Sequence, residues 1–490
     1  MCKPAKYLRP FFHAVCLSAA IGTASAASLT PEQARRDADI LVQALRALHP
    51  ALDKYNTAAA VDENFKRFLT RAQAARSSSE MYLAATELAA SVRCGHTWTN
   101  VLNQQGDIKQ QLLESADKLP FTMSLVEGRW LVLASAAAGV AAGDEVLSIN
   151  GHTSAQTIAT LLPYLRADGA SDGKRLRQLS HDRPGYSMMD IVWPLLVPPA
   201  GGVYHLTLRR ANAPGRTVDV KAMTLAARAA SLTAQGQPAP SEAWNLRIDG
   251  NRALMTLPTF SMHRSGLDWK KFFAESFAEL KLRKVAHLVI DIRANEGGDG
   301  AIGLALMGYL VRQPLTYISD QSVTTYERVP YKLARYLDTW DYGFFDRTGM
   351  VDTIMEGPQA GRFKFRPNAD KVHQITPQAD RFAGKAWLLV GPENSSATFA
   401  LARLVKQTGA ATLVGQATGG NQRGLNGGQI AWVNLPHSGV AVDIPLLASS
   451  YRADTPDASV TPDRLIAPRF ALRAAGRDQE MEAVQQAIGK

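Results

Sequence analysis

Apolar positions along this 490-residue chain change their period twice, and the changes divide it into three parts. Between Thr30 and Val92 they recur every three to four residues, the spacing of amphipathic helices. Ile40, Leu41, Leu45 and Leu48 lead up to His49-Pro50, and residues 65–75 and 81–92 repeat the pattern. Thr30-Pro31-Glu32-Gln33 predicts the first helix start, with threonine at the cap and proline in the first turn. From about Leu119 short strands take over. Residues 121–125 and 130–134 flank a hairpin turn at Glu127-Gly128. Residues 145–149 follow the turn Ala142-Gly143-Asp144 and end at the tight turn Asn150-Gly151, and Ser154 starts a helix. Residues 204–209 and 217–220 finish this β-rich part, which holds a long extra piece between about Arg166 and Pro199.

After a Pro/Ala/Ser-rich linker near 230–243, strands and helices alternate. Strands are predicted at 253–257, 285–292 and 386–390, each followed by a helix, at 269–281, 300–311 and 397–407. A short buried strand at 411–414 and an antiparallel pair at 430–435 and 440–444 close the series. Residues 313–383, rich in Tyr, Asp and Arg, read as an insertion whose pattern assigns no elements. The chain is too long for one core. The fold class is mixed, α+β and α/β, in several domains. A helical segment spans 27–117, a β module 118–225, an α/β domain 226–475 and a terminal helix 476–490.

Charge and cysteine content change the picture at the front of the chain. Lys3, Lys6 and Arg9 precede an apolar stretch and the small-residue site Ala24-Ser25-Ala26, the layout of a removable export signal over residues 1–26. The stretch is too short to span a membrane. The expected mature protein is exported, to a periplasm or the medium, with no membrane span. Losing three basic and no acidic residues lowers the net charge from +10 to +7. The remaining basic residues are scattered without aromatic interleaving, which argues against nucleic-acid binding. Cys2 and Cys16 leave with the signal, so Cys94 stands alone, and neither an internal disulfide nor a multi-cysteine metal site is possible.

Three stretches could carry chemistry. In GPENSSATFALAR, residues 391–403, a buried strand ends at Gly391-Pro392 and a helix follows Ser395-Ser396. A serine at such a corner sits beside free backbone N–H groups and a positive helix end. The same serines could simply cap the helix. Asp291-Ile292-Arg293-Ala294-Asn295-Glu296-Gly297-Gly298 leads from a strand to a helix. Its paired glycines allow close backbone approach, suiting either a structural turn or an anion-holding loop. His96, in Gly95-His96-Thr97 just past a helix, is free to reach a cleft, although a lone histidine is commonly structural.

Taken in order, the helical lead ending in Gly-His-Thr, a β module with GDEVLSING that resembles a PDZ domain, DIRANEGG and NSSATFALA resemble the tail-specific (C-terminal-processing) serine peptidase family. VGQATGGNQRGLNGG at 414–428, VAVDIPLL and Val460-Thr461-Pro462-Asp463 extend the resemblance over nearly all of residues 30–470. It implies a ClpP/crotonase-like α/β catalytic domain, an endopeptidase acting on peptides or unfolded proteins, and no cofactor. It places the nucleophile at Ser396, with Ser395 its neighbour. One branch of the family uses a lysine from the glycine-rich segment. Here that segment holds Asn421, Gln422 and Arg423, and Lys406 lies ten residues along the Ser396 helix, about 15 Å away. The tricorn-like branch takes a histidine from a Gly-His-Thr-like motif, which is His96. The implied oxyanion donors are the N–H groups of Gly298, or Gly297, and Ala397. An acid orienting the histidine is expected before Val-x-Pro-Asp. Pro456 stands at that position, leaving Asp457, with Asp454 nearby, as the candidate.

Phe399 also departs from the family, which usually has an acid three residues past the nucleophile, and Cys94 replaces another acid two before the histidine. Two rival readings follow. One is a non-catalytic peptide- or apolar-ligand-binding protein on the same scaffold, motivated by Phe399, Pro456 and the 313–383 insertion. The other is an α/β-hydrolase-type esterase completed by His437, which lacks the G-x-S-x-G elbow. Cys94 with His96 as a cysteine nucleophile pair requires residues two apart in a turn to face each other.

Overall fold

The computed structural model describes residues 28–489 except 182–184, 212, 238–240, 242, 264 and 367–371. The expected export signal lies outside the described residues. No described helix is long and apolar enough to cross a membrane.

Three helices open the chain, Pro31–Leu48, Ala58–Ala74 and Ser78–Ser91. Thr30 caps the first with a reciprocal Thr30–Gln33 box, as the start motif predicts. The second begins seven residues before its apolar stripe, because Thr57 caps an alanine-rich first turn with no strong periodicity. The β-rich module follows as a sheet in the order Phe121–Val126, Arg129–Ser135, Asp144–Ile149, Val203–Arg210, Arg216–Lys221. The hairpins fall where the turn residues predict. The linker expected near 230–243 is in part a helix, Leu225–Ala234. Arg228 on this helix is buried and donates to both carboxylate oxygens of Asp190, at 2.7 and 2.9 Å. Helix Leu225–Ala234 is thus held against the β-rich module. Its inserted piece forms two helices, Asp172–Arg177 and Met188–Leu196. Residues 180 and 181 between them cover one edge of the sheet: Leu125 N–H donates to Ser180 Oγ (2.9 Å) and His181 N–H to the Met123 carbonyl (2.9 Å).

The α/β domain is built on a second sheet, ordered Arg464–Leu465, Thr412–Gly415, Lys385–Val390, His287–Asp291, Arg252–Thr256, Asn245–Asp249. All neighbours are parallel except the outer hairpin 245–256. The central strands are apolar on both faces because both are covered. Leu388, Val390, Leu288 and Ile290 enter one core, beneath helices Trp269–Leu282, Gly300–Leu310 and Ser396–Thr408. Trp387, Leu389 and Val289 enter another, closed by Val484 of the terminal helix Gln479–Ile488. Each large side chain buried this way contributes about 1.5–3 kcal/mol.

The 313–383 insertion is not one body. Ser322–Thr324 pairs with Phe363–Phe365 and with Ala448–Ser449, and Leu337–Asp338 extends the antiparallel pair Ile430–Asn434 and Ala441–Pro445. Its strands are two to four residues long, too short to show a period of their own, and several pair with distant segments.

Candidate active site

Two adjacent parallel strands, His287–Asp291 and Lys385–Val390, end side by side, and each runs through a loop into a helix. Buried Asn394 and Asn295 brace the two loops. Asn394 Nδ2 donates to the Asn295 carbonyl (3.0 Å), Asn295 Nδ2 to the Leu257 carbonyl (2.8 Å), and Thr398 Oγ1 to the Asn295 carbonyl (2.9 Å). At the second loop Ser395 has extended backbone and Ser396 has φ +49°. A left-handed conformation costs a non-glycine residue about 1–2 kcal/mol. It is retained here by the strand behind it and the helix ahead. The two serines then differ. Ser395 Oγ donates to the Glu296 carbonyl (3.1 Å), whereas Ser396 Oγ has no hydrogen bond to any described residue.

The glycines of the first loop lie against this corner. Gly298 has φ +132°, and a Cβ there would stand 2.2 Å from the Phe260 carbonyl carbon. A Cβ at Gly297 would stand 2.9 Å from Cβ of Ser396. The Gly297 N–H is engaged by Asn295 Oδ1 at 2.9 Å. Among the described residues, neither the Gly298 N–H nor the Ala397 N–H has a protein acceptor. Of the two glycines the sequence offers, Gly298 has the donor left to give.

His96 arrives from the other end of the chain. It sits within a turn closed by Thr97 N–H to the Cys94 carbonyl, and Trp98 then pairs through both backbone hydrogen bonds with Asp443, at 3.2 and 2.8 Å. Buried His49 holds the turn from below, with Nε2 on Thr97 Oγ1 (2.7 Å) and Nδ1 accepting from Ala51 N–H (3.1 Å). The His96 ring lies on Gly427, where a Cβ would stand 3.2 Å from Cδ2, Cε1 and Nε2. Gly427 and Ser396 line a cavity of about 490 Å³ between helices Gly300–Leu310 and Ser396–Thr408. Leu304, Leu401, Leu404 and Leu425 wall it, and the ion pair Arg403–Asp320 (3.1 Å) stands among its lining residues. On its other side His96 shares a polar cavity of about 250 Å³ with Ser395, Glu296, Arg166 and Asp168. No hydrogen bond joins His96 to Ser396 in this structure; such contacts are commonly loose before substrate is bound. Burial pushes His96 below its ordinary value, opposed by Asp168 and Glu296 and aided by Arg166 and Lys174.

The remaining sequence candidates fall elsewhere. Asp457 does not meet His96. Its Oδ1 accepts from Ala170 N–H (2.8 Å) and Asn421 Nδ2 (2.7 Å). Exposed Asp454 pairs with Arg452. His437 binds through its backbone to Asp37. Cys94 is buried and its thiol is pushed up by burial, so it is a poor nucleophile. Phe399 is buried against Gly420 and lines neither cavity. Arg423 is spent on the Lys54 and Thr455 carbonyls, and Lys406 pairs with Asp463. Several residues went unread in the sequence. Lys174, buried between Glu296 and Glu393, and Asp168 come from the module's inserted piece. Buried Lys54 donates to the Gly424 carbonyl and Asn426 Oδ1, and burial lowers it to about 8. None sits in a motif, so only the tertiary fold identifies them.

His49 gives this region an acid sensitivity. Burial lowers its imidazole from 6.5 to about 3. The unfolded ring takes up a proton below pH 6.5 while the folded ring does not, so stability falls with pH from 6.5 down to about 3. The expected slope from this group is about 1.4 kcal/mol per pH unit. Denaturant titrations at pH 7 and pH 5 check it: His49→Gln should be less stable than wild type at pH 7, with the gap narrowing at pH 5.

No curated protein sequence matches the chain. Among solved structures, mature CPAF complexed with lactacystin aligns over 93% of this chain and 97% of its own, at 15% identity and a TM-score of 0.62. Mature CPAF alone aligns over 93% and 96%, at 15% identity and 0.60. The photosystem II D1 C-terminal processing protease is looser, at 16% identity and 0.39 over 90% of this chain and 94% of that one. Residues 251–444 match peptidase family S41. That span includes both strand-to-helix corners, Ser396 among them, while His96 lies outside it. The chain thus carries at residues 251–444 a domain of peptidase family S41, the serine peptidase family that its motif order resembles.

Proposed function

We propose that the protein is an exported serine endopeptidase in which Ser396 is the nucleophile and His96 the general base. The reading rests above all on Ser396, whose free hydroxyl stands at a left-handed corner beside two free N–H donors. Ser396 Oγ attacks the peptide carbonyl carbon as its proton passes to His96 Nε2. The Gly298 and Ala397 N–H groups hold the oxyanion. The imidazolium returns the proton to the leaving amine, and water then hydrolyses the acyl-enzyme by the same route. Removal of the export signal would leave the mature chain near residue 27. A PDZ-like module would add an extended peptide to a sheet edge. With the Phe121–Val126 edge covered by residues 180 and 181, Arg216–Lys221 is the edge available for that.

The test is labelling of the purified mature protein by a fluorophosphonate, with casein cleavage in parallel. Lactacystin, with which mature CPAF is complexed in its solved structure, is a second probe. Absence of labelling and cleavage across pH 6–9 would leave the non-catalytic reading in its place. The leucine-walled cavity beside Ser396 fits an apolar side chain preceding the scissile bond. Ala400→Phe, narrowing that cavity, should lower kcat/KM tenfold or more for substrates with leucine or phenylalanine there. For alanine at the same position the change should stay within threefold, as read on a matched fluorogenic peptide series.

A further inference from the structure

We propose that Asp168, carried by the inserted piece of the β-rich module, is the positioning acid of His96. The proposal rests on the reading of His96 as the base and supplies the partner that the sequence left unassigned.

Residues 166–168 grip the residue before His96 from both sides. Gly95 N–H donates to Asp168 Oδ1 at 2.8 Å, and Arg166 Nη1 donates to the Gly95 carbonyl. A Cβ at Gly95 would stand 2.9 Å from Asp168 Oδ2, so the carboxylate lies directly on this backbone. Both residues line the polar cavity that His96 shares with Ser395. Two complementary atoms in that wall are buried without a hydrogen-bond partner among the described residues, His96 Nδ1 and Asp168 Oδ2. A third orphan, Arg166 Nε, belongs to a guanidinium already held by the Gly95 carbonyl and stacked on Trp98 at 3.7 Å. A buried carboxylate oxygen left unpaired is costly, and an imidazole N–H is the donor it needs.

The other acids near the cavity are committed. Glu296 pairs with Lys174 and, at 3.6 Å, with Arg166. Asp443 accepts from Asn103 (2.8 Å) and Asn100 (3.0 Å), and burial raises it to about 6. Asp457 supports the proposal from behind: by accepting from Ala170 N–H and Asn421 Nδ2 it fixes the loop that carries Asp168. The family's acid position holds Pro456, and its task passes to an acid from another part of the chain. The two orphan atoms do not touch in this structure; a side-chain adjustment on substrate engagement closes the pair.

The charged groups facing His96 are Asp168 and Arg166 of the inserted loop, Lys174 of its short helix and Glu296 of the glycine loop, with Asp443 across the cavity. Asp168→Asn isolates the charge, since its Oδ1 can still accept from Gly95 N–H. Its amide N–H, however, favours the tautomer whose Nε2 carries the proton and cannot accept one from Ser396. The expected result for Asp168→Asn is kcat lower by roughly 100- to 10,000-fold, with KM within about threefold. The acid limb of kcat/KM should move to lower pH, because the imidazolium loses its counter-charge. Asp168→Glu, which keeps the charge, should retain at least tenfold more kcat than Asp168→Asn. A purely structural role predicts the reverse order, since Asn is the isostere and Glu is not. Asp168→Asn within threefold of wild type with an unmoved acid limb, or that reversed order, overturns the proposal. In Ser396→Ala protein, a histidine-ring NMR titration reads the same pair without catalysis, and there too Asp168→Asn should move His96 to lower pH by about one unit. An unmoved titration overturns it. Absence of fluorophosphonate labelling in wild type would instead count against the peptidase reading, with the NMR result still deciding the His96–Asp168 pair.

Discussion

Ser396→Ala is expected to lower kcat by roughly 10⁶-fold and to abolish fluorophosphonate labelling, while Ser395→Ala stays within tenfold of wild type. Ser395 spends its hydroxyl on the Glu296 carbonyl, so its loss costs one local hydrogen bond. Ser396 Oγ has no hydrogen-bond partner among the described residues, so on the proposed mechanism its loss removes the reacting atom and little else. The residual rate, about 10³-fold above the uncatalysed reaction, comes from the two N–H donors and from substrate positioning. Thermal melting should hardly move for Ser396→Ala, because alanine meets the same left-handed backbone cost. Burst titration and melting curves on the three proteins decide the matter. Equal labelling of wild type and Ser396→Ala would remove Ser396 from the mechanism.

Gly298→Ala should be the most damaging change of a residue that contributes no side chain. Its Cβ would lie 2.2 Å from the Phe260 carbonyl carbon and 2.4 Å from both the Phe260 oxygen and the Ser261 nitrogen. All three are backbone atoms and cannot swing aside. At φ +132° the added methyl is also strained without any neighbour. The loop must move, and the N–H it presents moves with it. Loss of one oxyanion donor costs about 100- to 1000-fold in kcat, and the displaced loop should destabilise the fold by about 2–4 kcal/mol. Steady-state kinetics with urea unfolding reads both. Wild-type kcat in Gly298→Ala would show that the donor is elsewhere.

The periodic elements of this chain were legible because their apolar faces are regular. The strand 385–390, the hairpins at Glu127-Gly128 and Asn150-Gly151 and the Thr30 cap all stand where pattern and turn chemistry place them. The two strand-to-helix corners were legible as well, with a serine pair on one and a glycine pair on the other; the choice of Ser396, Gly298 and Ala397 within them came from the family resemblance, not from local pattern. The insertion 313–383 was not, because its short strands are stabilised by distant partners rather than by their own alternation. Asp168 was missed for a related reason. Nothing in Arg-Ala-Asp-Gly marks it within the long extra piece, and only the backbone contact with Gly95 gives it a place beside the His96 turn. Phe399 stood as an argument against catalysis, yet its ring fills the space that Gly420 leaves open and lines neither cavity.

The backbone bridge between Trp98 and Asp443 has a consequence for when the protein becomes dangerous to its neighbours. One partner emerges early in synthesis and the other near its end, with the Ser396 corner between them. Contacts so distant along the chain form late, after the cost of closing a very long loop has been met. In a chain that stops short of residue 443 the Gly95–Trp98 turn keeps only its contacts from His49 and from residues 166–168 and lacks the strand that anchors Trp98. On the proposed mechanism, the seating of His96 thereby waits until the chain through residue 443 has been made, a delay set by sequence separation alone.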